Sequence, residues 1–114
     1  MPPRVNPLKL NPLQLKTLTL LQELGRLIGS PAPDEGEGTL LVDQFPHAHG
    51  NHFHMGSAVV STADATGLAN PAVWVALERK GLIKSRFPQA AVITIEGMGY
   101  ETGMTDEILH RSDH

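Results

Sequence analysis

The sequence predicts a small α+β domain, and three observations carry that expectation. Asn11-Pro12, followed by Leu13, Leu20, Leu24 and Leu27 at helical spacing, marks one long amphipathic helix. Two short helical segments separated by Gly67 mark a helix-turn-helix, the second opened by Asn70-Pro71 and stopped by Gly81. Thr39-Leu40-Leu41-Val42-Asp43 and Ala90-Ala91-Val92-Ile93-Thr94-Ile95 are β-prone runs bounded by turn residues.

The elements follow in chain order. Residues 1–10 hold three prolines and few periodic apolar positions, which suits an extended N-terminal arm. The first helix has a stripe widened by Leu18, Leu21 and Ile28 and ends near Gly29. Its leucines suit packing against the domain or, as an alternative, a dimer seam. Residues 30–38, rich in Pro, Gly and acids, form a loop. The strand from Thr39 leads through Gln44-Phe45-Pro46 into histidines, and Phe53–Val60 suits a returning strand. Residues 39–60 then read as a hairpin with the histidines around its tip. Ser61 and Thr62 cap a short helix, Val73 and Leu77 line the second, and Leu82-Ile83 dock its exit. Residues 11–104 make one domain, and 105–114 a polar tail or short helix.

A chain of 114 residues supports a single modest core. At 40% hydrophobic and 18% charged it is a globular composition, and its aromatic content of 4% leaves the core to Leu, Val, Ile and Ala. Without cysteine, disulfides and thiolate metal sites are excluded. No apolar run is long enough to span a membrane, and the start Met1-Pro2-Pro3-Arg4 lacks the apolar core of a signal peptide. A cytoplasmic protein with no membrane partner is therefore expected. The net charge of -3 hides alternation: residues 34–64 hold five acids and no Lys or Arg, and Arg79, Lys80, Lys84 and Arg86 then crowd together.

The segment Ala63–Ile83, with its Gly67-Leu68, Asn70-Pro71, inward Val73 and Leu77, and Arg79-Lys80-Gly81-Leu82-Ile83 exit, resembles the helix-turn-helix core of the winged-helix superfamily of bacterial regulators. Val92-Ile93-Thr94-Ile95-Glu96-Gly97 is similar to the strand and Thr-x-Glu-Gly step that ends such wings. The likeness covers residues 11–100 by element order and 63–83 by residue pattern. It implies a winged helix-turn-helix with a three-helix core and a small antiparallel wing, homodimeric, binding double-stranded DNA as a transcriptional regulator. The residues it assigns to DNA are Asn70, Arg79, Lys80, Lys84 and Arg86. The chain departs from the pattern on the second helix, whose outer face offers Ala72, Trp74, Val75 and Glu78 where base edges require hydrogen-bond donors and acceptors. A second reading is thus a winged-helix interaction module without DNA binding, with Trp74 and Val75 at its interface. Burial of Trp74 against the first helix or the arm is the structural alternative.

Four of six histidines fall in eight residues, His47-Ala48-His49-Gly50-Asn51-His52-Phe53-His54. The run resembles the His-x-His-x-Asp-His loop of metallo-β-lactamase-fold hydrolases. Asn51 stands where the carboxylate ligand is needed, and the chain is about half the size such a fold requires. Hydrolase chemistry is therefore not expected, no other catalytic template fits, and the chain is not read as an enzyme. Metal binding is the third reading. Histidines two apart on a strand share a side, so His47, His49, His52 and His54 are candidate ligands for zinc or nickel, set against a structural or incidental cluster. A metal-responsive domain would follow.

Overall fold

The computed structural model describes residues 6–47 and 50–111. The architecture is α+β, with four helices and two antiparallel sheets. Helices α1 (Pro12–Ile28), α2 (Pro71–Arg79), α3 (Ile95–Gly99) and α4 (Thr105–Ile108) are joined by seven strands. These are β1 (Ser30–Pro31), β2 (Leu40–Val42), β3 (His52–Met55), β4 (Ala58–Ser61), β5 (Ile83–Arg86), β6 (Ala90–Ile93) and β7 (His110–Arg111).

Helix α1 starts where the sequence says it should, and for the expected reason. Asn11 Oδ1 accepts from the Gln14 amide at 2.8 Å and Gln14 Oε1 accepts from the Asn11 amide at 3.0 Å, a reciprocal capping box ahead of Pro12. Its burial is wider than one stripe: Leu15 and all residues from Thr17 to Gly25 are buried. The helix therefore runs through the interior, and its polar side chains are all engaged. Thr17 and Thr19 hydroxyls donate to the Leu13 and Leu15 carbonyls, and Gln22 Nε2 donates to the Gly97 and Tyr100 carbonyls at 2.8 Å each.

One sheet has the order β1-β2-β6-β5, with Leu41 and Lys84 both opposite Val92. Its inner face, built from Val42, Ile83, Ala91 and Ile93, is buried as α1 crosses it. The other sheet, β3-β4-β7, turns Phe53, Met55, Ala58 and Val60 inward and leaves His52 and His54 on its outer side.

Several expectations change here. Residues 39–60 do not form a hairpin. β2 pairs with β6, because its alternating Leu40 and Val42 complete the apolar face shared with Ile93 and Ala91. β3 and β4 form their own tight hairpin around Gly56-Ser57, with Gly56 at φ 59°. The histidines thus lie in the β2–β3 connection and in β3. The β-prone run 90–95 stops at Ile93, because Thr94 becomes a cap whose Oγ1 accepts from the Gly97 amide at 2.9 Å, opening α3. Where the first helix of a helix-turn-helix was expected, the chain forms two 3-10 turns, Thr62–Asp64 and Thr66–Ala69. Within the segment read as a tail, α4 buries Ile108 and Leu109 and β7 pairs with β4. The described part of the arm is docked: Leu10 is buried, the Leu8 amide donates to Tyr100 Oη at 3.1 Å, and Tyr100 Oη hydrogen-bonds Asn6.

Two substitutions test this core. Gly97 lies so close to β5's entry that a Cβ there would overlap the Leu82 carbonyl oxygen. Gly97→Ala should lower unfolding free energy by about 1–3 kcal/mol in urea titrations. Gln22→Leu, which strands the buried Gly97 carbonyl and the half-buried Tyr100 carbonyl, should cost about 1–3 kcal/mol in the same measurement.

Candidate functional site

The segment from Thr62 to Arg86 is organised around Trp74, which is 1% exposed. Its indole N–H donates to the Gly67 carbonyl at 3.2 Å, and its ring packs between Phe45 and Phe87, with centroids 5.8 and 5.1 Å away. Gly67 is required against α1, since a Cβ would meet the Thr17 side chain. The outward Trp74 contact patch is corrected by this burial: an indole flanked by two phenyl rings is a core residue. Val75 is exposed at 43%, so the two expected interface residues do not share a surface.

The five residues assigned to DNA are only partly free for it. Asn70 is used as the cap of α2, its Oδ1 accepting from the Ala72 amide at 3.0 Å. Lys84 and Arg86 share the outer side of β5, and both meet Glu35 from the loop after β1. The Arg86 guanidinium pairs with the Glu35 carboxylate, and Lys84 Nζ lies 3.9 Å from it while donating to the Glu35 carbonyl. Glu78, on the exposed side of α2, accepts from the Ser85 amide at 3.1 Å. Arg79 and Lys80 are exposed at the end of α2. Lys84 and Arg86 are thus set against Glu35, which reduces the field those two cations would offer a phosphate backbone.

Glu35 was not singled out by sequence reasoning. The available signal was the acidic run Asp34-Glu35-Gly36-Glu37 followed by the basic run 79–86, two blocks of opposite sign with a reason to meet. The loop that carries Glu35 is stitched internally, with Thr39 Oγ1 donating to the Ala32 and Gly36 carbonyls at 2.6 and 2.8 Å. It helps cover the outer face of the sheet, where Val92 is 1% exposed.

An apolar groove lies between the end of α1 and β3. Leu24, Leu27, Ile28, Phe45, Pro46 and Met55 line it, Gln44 and His54 are its polar members, and its volume is about 390 Å³. Leu27 and Ile28 are each 45% exposed beside it.

Of the four candidate histidines the described residues include His47, His52 and His54, and β3 brings two of them side by side. His47 is exposed in the β2–β3 connection, and His49 lies outside the described residues. His52 and His54 stand on the same side of β3, their rings 5.2 Å apart at 84°. Among the described residues no set of three His or carboxylate side chains gathers around one point. No helix of the described chain is long and apolar enough to cross a membrane. No protein-family model, curated protein or solved structure matches this chain.

Proposed function

We propose that this is a winged-helix domain that works as a homodimeric protein-contact module and does not read DNA. The observation that carries the second part is Glu35, whose carboxylate and carbonyl occupy Lys84 and Arg86, the two cations a wing would offer to phosphate. The winged-helix reading is supported by element order. Helix α1, strand β2, two helical turns, α2 and the β5–β6 hairpin occur in that order, with β1 inserted before β2 and the β3–β4 hairpin after it, and β2 pairs with the second strand of the β5–β6 hairpin, giving β2-β6-β5. The exposed side of α2 offers Ala72, Val75 and Glu78, which supply no hydrogen-bond pattern for base edges.

The contact surface is the groove at the end of α1, and its occupant is a second copy of the chain. A two-fold interface needs one patch that is complementary to itself. This patch has both halves, the projecting Leu27 and Ile28 and the concave wall of Leu24, Phe45 and Met55 beside them. None of its lining residues is Lys, Arg, Asp or Glu, so two copies face each other without charge repulsion or charge burial.

Light scattering coupled to gel filtration should give the mass of two chains at high micromolar concentration, falling to one chain for Leu27→Glu with an unchanged circular dichroism spectrum. A wild-type mass of one chain throughout removes the dimer. Fluorescence anisotropy with a labelled mixed-sequence duplex at low salt, where phosphate attraction is strongest, should show no saturable binding. Saturation there would restore the DNA-binding regulator in place of this reading.

A further inference from the structure

We propose that His52 and His54 chelate one divalent transition-metal ion of the zinc class on the outer side of β3. The site shares His54 with the rim of the apolar groove, and it is argued from strand geometry without reference to the dimer. Alternation along β3 sends Phe53 and Met55 into the core and therefore puts both imidazoles on the opposite side. With metal–nitrogen bonds of about 2.0–2.1 Å, two imidazoles bound to one tetrahedral ion have ring centroids about 5 Å apart. The observed separation is 5.2 Å, so the two rings stand at the spacing a chelate requires.

The surroundings favour a cation. Asn51 Oδ1 lies 3.5 Å from His52 Nδ1, a long contact that suits a proton on Nδ1 and leaves the Nε2 lone pair for the ion. The residues opposite on β4 are Ser61 and Val59, neither of which is charged. His110 stands opposite Val59 on the far side of β4, and it does not gather with His52 and His54 into a three-ligand group. Two imidazoles with water in the remaining positions make an open site, weaker than the four-ligand sites that hold structural zinc. Imidazole donors also select against magnesium and calcium, which prefer oxygen.

The test is calorimetric titration of the untagged full chain with zinc chloride. One zinc per chain is expected. His52→Gln and His54→Gln should each weaken binding about tenfold or more, whereas His47→Gln and His110→Gln should leave it within about twofold. A nitrogen-15 spectrum of the wild type gives an independent readout, with zinc shifting the ring signals of His52 and His54 first. The assignment is overturned if wild type binds no zinc or if the His52→Gln/His54→Gln variant retains one equivalent. It is equally overturned if His49→Gln loses as much affinity as His52→Gln, or if the first shifts fall on other rings.

Discussion

Everything in this domain is arranged around a helix that has almost no solvent side. A surface helix buries one stripe and hydrates the rest, but α1 is enclosed from Thr17 to Gly25, including two threonines, a glutamine and a glutamate. Each of these polar groups must find a partner inside the protein, since a buried unpaired donor or acceptor costs about 1–3 kcal/mol. The partners determine where the rest of the chain can go. Thr19 meets Thr102 at 2.5 Å, Gln22 holds the Gly97 and Tyr100 carbonyls, and Glu23 is bracketed by Arg26 at 3.2 Å and Arg111 at 3.0 Å. The irregular stretch between β6 and β7 is thereby tied to α1 residue by residue. Among the described residues no buried side-chain nitrogen or oxygen is left without a partner.

What the sequence made legible was local. Both Asn-Pro pairs cap helices, Gly81 ends α2 with φ at 77°, and the second β-prone run forms a strand. These signals are readable because cap and turn chemistry acts within four residues. Pairing was not legible in the same way. Residues 39–60 alternate well enough for a hairpin, but the strand at Leu40 belongs to a partner some fifty residues away, chosen by the apolar face it completes over α1. Thr94 was equally ambiguous, since a β-branched residue ends a strand as readily as it caps a helix. Trp74 shows the limit most clearly. Helical periodicity puts it beside Val75 on an outer face, yet Phe45 and Phe87, one from before β3 and one from the β5–β6 turn, close over it.

The candidate sites follow the same division. The histidine cluster is a compositional fact of the sequence, and only the strand register puts His52 and His54 side by side on β3, with His47 in the connection before it. The four cations near the end of α2 are likewise obvious in the sequence, but the value of two of them, Lys84 and Arg86, to an anionic partner depends on Glu35, which reaches them from the opposite edge of the sheet. Each such exposed ion pair contributes at most about 1 kcal/mol to stability. Their importance lies in the field they remove rather than in the energy they add.

The bracketing of Glu23 also has a temporal side. Its second guanidinium, on Arg111, lies 88 residues further along the chain. At synthesis rates of about 5–20 residues per second, Arg111 is made roughly 4–18 s after Glu23. The strand that carries Arg111 also completes the β3-β4-β7 sheet. A nascent chain can form the α1 turns early, but the environment that makes burial of Glu23 tolerable is assembled last. The native environment of Glu23 is therefore complete only once the β7 segment is in place.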